Sequence, residues 1–319
     1  MNTIKFSPIN DIRKETSNVE VYSIKDLEIN HKKYQYFSDA QISLFLTKYC
    51  NANCPFCMNK FEKRCVLSKE ISDSQYYRNL EFYLDFFKDI KPWITITGGE
   101  PTISSRLVPT LNLLKEKSYK IRTFSTNGSH LLDIIDGKTI LQHMLENNVV
   151  NNVDLSRMAI DDEENAKLMN IKICDSNNEH LQKIASFASA NSMEVRISCN
   201  LLKNGVHTLD DMLEFKRFYN QLGIHSIMFR ELIPLEYDKE YSVDINNILE
   251  EIFRRPDFKL LRIMEGFYYT VRVYQYEDTI VKCYQEKENV DKEVIREFVI
   301  YPDGKLDNGF NHETLMEVK

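Results

Sequence analysis

Cys50, Cys54 and Cys57 lie in the run Cys50-Asn51-Ala52-Asn53-Cys54-Pro55-Phe56-Cys57, a C-x3-C-x2-C loop. Three thiolates on one loop are one short of the four that close a tetrahedral zinc site or a cubane iron–sulfur cluster. On a [4Fe–4S] cube that count leaves one iron open to an outside ligand. An open iron is a place for chemistry, whereas a fully ligated cluster mainly carries electrons. Gly98-Gly99-Glu100-Pro101 follows at the end of an apolar run. Gly98 and Gly99 lack β-carbons, so their backbone can approach a ligand closely, and Glu100 adds a negative charge. The competing reading closes the set with Cys65, eight positions after Cys57, as a structural zinc knot or a four-cysteine cluster. That protein would be a metal-stabilised binding module.

The elements that must position these groups follow from periodicity. The 319 residues, 43% hydrophobic and 28% charged, describe an ordinary globular chain able to bury a large core. A net charge of −7 argues against nucleic acid as a partner. No apolar run approaches the ~18 residues of a membrane span, and Met1–Ile24 is too polar for a secretory signal. Seven cysteines, three of them clustered, suit a reducing, cytoplasmic setting. Short apolar runs alternate with amphipathic segments, the pattern of βα units and a parallel sheet. Strands are expected at Leu44–Leu46, Trp93–Thr97, Ile121–Ser125, Val149–Ser156, Glu194–Leu201 and Ile224–Ile233. Helices are expected after Ser72, after Ser105, at Asp162–Met169, Glu179–Ala190 and Leu209–Leu222. Six such units make a partial (β/α)6 TIM-like barrel of the α/β class over 41–235. Residues 1–40 read as an accessory segment. Residues 236–319 read as a small C-terminal β-rich cap with a helix at Asp244–Arg254 and strands at Tyr268–Tyr276, Ile280–Tyr284 and Glu297–Tyr301. Barrels of this kind gather their sites at the C-terminal strand ends. The cysteine loop, Gly98–Pro101, Asn127, Ser156, Asn200 and Arg230 all fall there.

The cysteine loop and Gly98-Gly99-Glu100-Pro101, on consecutive strands, resemble a radical S-adenosylmethionine (SAM) enzyme over roughly residues 41 to 235. The resemblance implies a [4Fe–4S] cluster held by Cys50, Cys54 and Cys57, with SAM on the open iron. Reduction then cleaves SAM to a 5′-deoxyadenosyl radical, which takes a hydrogen atom from the substrate. It implies that Phe56 packs near the adenine and that Glu100, with Gly98, Gly99 and Pro101, meets the amino group of SAM. Ser156, or Thr126 with Asn127, would contact its ribose and carboxylate, with Arg157 and Asn200 as further contacts. A reductase such as flavodoxin or ferredoxin would supply the electron.

Period-two alternation sorts the strand faces. Val195, Ile197, Cys199 and Leu201 should face helices, and Arg196, Ser198 and Asn200 the interior. Likewise Ile227 and Phe229 should face out, and Ser226, Met228 and Arg230 in. Interior arginines at 196, 230 and 157 suit an anionic partner, or else pair with Asp154 and Glu231. Cys199 and Cys283 are candidate hydrogen donors to a substrate radical, or else buried, inert thiols. The general pattern is closest to the branch holding the molybdenum-cofactor GTP cyclase and the peptide maturases. The second cysteine cluster of the cyclase and the cysteine-rich extension of many maturases are both missing, so a single cluster is expected. Two substrate readings stand: a small anionic metabolite of nucleotide or sugar type, and a peptide, with the first forty residues as a docking strand.

Overall fold

The computed structural model describes residues 19–21, 23–60, 68–150, 152–232, 240–265, 269–286, 294–309 and 312–318. In chain order its main strands are β1 (Val19–Val21), β2 (Ile24–Ile29), β3 (Lys32–Phe45), β4 (Ile94–Thr97), β5 (Ile121–Thr126), β6 (Asn152–Ser156) and β7 (Glu194–Asn200). These are followed by β8 (Ser226–Arg230), β9 (Phe258–Glu265), β10 (Tyr269–Tyr276), β11 (Thr279–Glu286), β12 (Ile295–Ile300), β13 (Leu306–Asn308) and β14 (Thr314–Met316). The helices are α1 (Asp73–Phe86), α2 (Leu107–Glu116), α3 (Ile140–Asn147), α4 (Asp162–Met169), α5 (Asn178–Ala190), α6 (Leu209–Gln221) and α7 (Ile245–Phe253). Among the described residues, no helix is long and apolar enough to cross a membrane. The chain divides into two compact units.

The larger unit takes residues 23–156, 162–195 and 291–319. Its strands run in the order β6-β5-β4-β3-β12-β13-β14, and β3 through β6 are mutually parallel, as βα alternation requires. Ile42, Leu44, Ile94, Ile96, Phe124, Val153 and Leu155 are fully buried, and they occupy alternate positions on their strands. Helix α1 starts where expected, its N-cap Ser72 accepting from the Gln75 amide, and buries Tyr76, Leu80, Tyr83 and Leu84 at three- and four-residue spacing. Ser105 does not cap α2; its hydroxyl bonds Asp73 instead.

Two features differ from expectation. The first strand begins at Lys32, not near Leu44, because Asn30 and His31 both take positive φ and close a hairpin onto β2. The C-terminal strands do not stand apart as a cap. Strand β12 lies parallel to β3, pairing Glu297 with Gln41 and Ile300 with Leu44, and Phe298 packs on Phe87 of the α1 C-terminus at 4.8 Å. Pairing covers an edge that would otherwise expose unsatisfied amides and carbonyls.

The smaller unit takes residues 1–22, 157–161 and 196–290. Its strand order is β1-β9-β10-β11-β8-β7, with β11 parallel to β8 and antiparallel to β10. Here too the C-terminal strands extend a sheet. Met228, expected on a polar inner face, packs with Val271, Val273 and Tyr284 because β11 and β10 bring an apolar surface to it.

Candidate functional site

The cysteine loop is anchored by the residues between its thiols. Asn51 accepts from the Asn127 amide at 2.8 Å and donates to Ser129 at 3.0 Å. The Asn53 amide bonds the Asn170 carbonyl beyond α4 at 3.0 Å, and Lys60 bonds the Asn53 carbonyl at 2.8 Å. A short 3-10 turn, Met58–Lys60, follows Cys57. Cys50 is exposed, and Cys54 and Cys57 are half-buried.

Glycines 98 and 99 serve a purpose the sequence reading did not anticipate. At each, the place a β-carbon would take is occupied by protein backbone, and Gly99 also lines a cavity beside the loop. A β-carbon on Gly99 would lie 1.9 Å from the Tyr49 carbonyl oxygen, and one on Gly98, where φ is +123°, would lie 2.7 Å from that of Thr47. This closeness lets the Gly99 amide donate to Thr47 at 2.9 Å and the Glu100 amide to Tyr49 at 2.7 Å. The end of β4 is thereby clamped to the residues just before Cys50.

Glu100 is buried, and its carboxylate is taken up by protein donors. One oxygen accepts from the Thr102 amide (3.0 Å), the Thr102 hydroxyl (2.6 Å) and the Thr126 hydroxyl (2.6 Å); the other accepts from the Asn127 amide at 2.7 Å. Burial raises its pKa, and these bonds pull it back. Pro101 opens the short turn that Glu100 caps. Thr126 therefore orients Glu100, while Asn127 links Glu100 to the cysteine loop and sets its side-chain amide 4.0 Å from the Cys50 sulfur. Phe56 is buried beside the thiols in sequence, and Ser156 is half-exposed at the end of β6.

Burial, then the neighbouring thiols' charge, pushes Cys54 up to about 12; burial is also the main cause at Cys50, pushed to about 11. Opposing this, the Ala52 amide donates to the Cys50 sulfur at 3.3 Å, with Asn127 behind it. Amide donors on a sulfur stabilise its ligating thiolate, and a bound cation removes the mutual repulsion. The donor set thus fits an iron–sulfur cluster held by Cys50, Cys54 and Cys57. Among the described residues, no three His, Cys, Asp or Glu side chains gather around a single-ion position, and Cys65 lies outside those residues.

In the smaller unit, Arg230 and Asn200 are register partners on β8 and β7. The Arg230 guanidinium stacks 4.5 Å over Tyr284 and has no carboxylate partner among the described residues. Glu231, one alternative partner, bonds the Ile245 and Glu286 amides instead. Arg157 is fully buried and donates to the Tyr219 hydroxyl at 3.0 Å. Cys199 and Cys283 flank Phe229 in register, both fully buried and raised by burial. Neither shows a solvent-facing sulfur, and both positions suit packing.

Arg106 was not singled out from the sequence. It is buried over the Tyr76 ring and bonds Asp73, Leu46, Ile71 and Pro302, locking the strand that leads to the cysteine loop. Its partners are scattered over the chain, so spacing carries no signal of it.

The profile of the Radical SAM superfamily matches residues 44–191, which hold the cysteine loop, Gly98–Pro101 and Asn127. A probable GTP 3′,8-cyclase of Methanococcus aeolicus is 25% identical over 230 residues, covering 69% of each chain. Among solved structures, Streptococcus suis SuiB bound to S-adenosylmethionine superposes with a TM-score of 0.56 at 17% identity, over 85% of this chain and 60% of that one. SuiB bound to precursor peptide SuiA gives 0.56 at 15% identity, over 88% and 64%. The chain spans less than two thirds of SuiB, and the likeness is one of fold: mixed α/β with parallel strands, similar to the TIM-like partial barrel.

Proposed function

We propose that this chain, whose residues 44–191 match the Radical SAM superfamily, is an enzyme using a [4Fe–4S] cluster and S-adenosylmethionine that acts on a small anionic metabolite of nucleotide or sugar type. When bound, these two groups supply one-electron chemistry that ends in removal of a hydrogen atom from the substrate. The chain's own residues bind and orient. Cys50, Cys54 and Cys57 hold the cluster, and Asn51, Asn127 and the Gly98–Glu100 clamp fix the loop that presents them. A reductase of flavodoxin or ferredoxin type supplies the electron.

Arg230 carries the substrate reading. A half-buried guanidinium over an aromatic face, with no carboxylate partner among the described residues, is suited to receive an anion. The sequence relationship to a probable GTP 3′,8-cyclase supports the nucleotide class.

A second reading rests on β2. Among the described residues this strand pairs only with β3, leaving one edge to which an extended peptide could add as a strand.

Anaerobic incubation of the reconstituted enzyme with SAM and a strong reductant should release 5′-deoxyadenosine, and Cys54→Ala should release none. Full release by that variant would refute the cluster assignment. Deuterium from a labelled nucleotide or sugar should appear in the deoxyadenosine, and Arg230→Met should weaken that transfer. Label arriving only from a peptide would favour the second reading.

A further inference from the structure

The larger unit contains a cavity of about 300 Å³ beside the cysteine loop, at the low end of the ~300–1,000 Å³ of small-molecule sites. Phe45, Lys48, Tyr49, Asn59, Lys60 and Pro302 line it. Its lining includes two ammonium groups: Lys48 bonds the Ser68 carbonyl at 3.1 Å and Lys60 that of Asn53 at 2.8 Å, each leaving further N–H donors. Neither has a carboxylate partner among the described residues. Glu70 accepts from the Thr47 hydroxyl and the Lys48 backbone amide and makes no ion pair with the Lys48 ammonium.

The same lining carries apolar groups: Phe45, half-buried and backed by Tyr301 at 5.2 Å, and Pro302. The Tyr49 ring is 61% exposed, which the core does not require. Two ammonium groups without a carboxylate partner among the described residues, beside an exposed tyrosine over which Lys48 lies at 5.8 Å, suit an anion that carries a flat ring.

We propose that this cavity binds a ring-bearing phosphate ester of mononucleotide size, with its phosphate on Lys48 and Lys60 and its ring against Phe45, Tyr49 and Pro302. Binding at this cavity is independent of the substrate reading above, which rests on Arg230.

Calorimetric titration of the anaerobic, reconstituted full-length enzyme with GMP, guanosine and inorganic phosphate tests the proposal. GMP should bind at least tenfold more tightly than either fragment. Lys48→Met with Lys60→Met should weaken GMP at least tenfold and leave guanosine within twofold, while Tyr49→Ala should narrow the gap between GMP and inorganic phosphate. The iron–sulfur absorbance and unfolding midpoint of each variant establish that the protein is intact. Equal binding of GMP and inorganic phosphate, or GMP binding untouched by the double substitution in intact protein, would overturn the pocket assignment. Measuring 5′-deoxyadenosine release by the parent separates the two levels. Release without GMP binding sinks the pocket alone; GMP binding without release sinks the enzyme reading and leaves the pocket standing.

Discussion

Replacing Gly99 with alanine inserts a methyl group 1.9 Å from the Tyr49 carbonyl oxygen and 2.8 Å from the Lys48 carbonyl carbon. Both obstacles are backbone and cannot swing aside. Restoring ordinary contact near 3.4 Å requires about 1.5 Å of separation between the β4 end and the residues before Cys50. The Gly99–Thr47 and Glu100–Tyr49 hydrogen bonds, now 2.9 and 2.7 Å, would then exceed bonding range. Two lost bonds at about 1 kcal/mol each, plus about 1–3 kcal/mol for groups left unpaired, give a destabilisation of roughly 3–5 kcal/mol. Gly137→Ala is the control: φ there is +78° and nothing lies within 4 Å of the added carbon, so only left-handed backbone strain of about 1–2 kcal/mol applies. Guanidinium unfolding monitored by circular dichroism, with iron content measured in parallel, should rank Gly99→Ala well below Gly137→Ala in midpoint and in iron retained. Equal midpoints and equal iron would refute the claim that the clamp positions the cysteine loop.

Removing the Arg106 guanidinium with Arg106→Met strands the Leu46, Ile71 and Pro302 carbonyls and should cost about 3–5 kcal/mol. Asp73→Asn keeps an oxygen to accept from Arg106 and removes only the charge opposite it, so it should cost less, about 1–2 kcal/mol; similar unfolding midpoints for the two variants would contradict this. Burial pushes the Glu231 carboxyl up to about 7 from 4.5, so the folded chain binds that proton more tightly than the unfolded chain does. Its contribution to stability therefore declines as pH rises from about 4.5 to about 7, by roughly 3 kcal/mol in all. Glu231→Gln should flatten that part of the stability–pH curve, and an unchanged slope would exclude Glu231 as its source.

Local signals were legible wherever one segment determines its own conformation. Helix α4 follows from an acidic first turn and α1 from its serine cap, and Pro302-Asp303-Gly304, a tight-turn sequence, forms a turn with Gly304 at φ +75° and its amide on the Tyr301 carbonyl. Helix α3 was overlooked although Thr139 and Gln142 make a capping box, a signal present in the sequence. The β2–β3 hairpin was hidden because Asn30 and His31 adopt positive φ without a glycine to announce it. At the site, the three thiols and the glycine pair were visible as residue types. Which backbone the glycines meet depends on two strands packing side by side, and no spacing encodes that. The same holds for Glu100 and Thr126, whose polar atoms face each other across neighbouring strand ends.

The partnership of Gln41 with Glu297 joins residues separated by 256 positions. A ribosome adding about 5–20 residues per second needs roughly 10–50 s to cover that interval. Throughout synthesis of the intervening chain, one flank of the strand leading to the three thiols lacks its native neighbour. The nascent protein is then a template for unwanted strand addition, close to its three clustered thiols. Expression slowed by cold or rare codons would prolong that exposure, and shielding by a chaperone in an oxygen-poor cell would matter most before Ile295–Ile300 emerges.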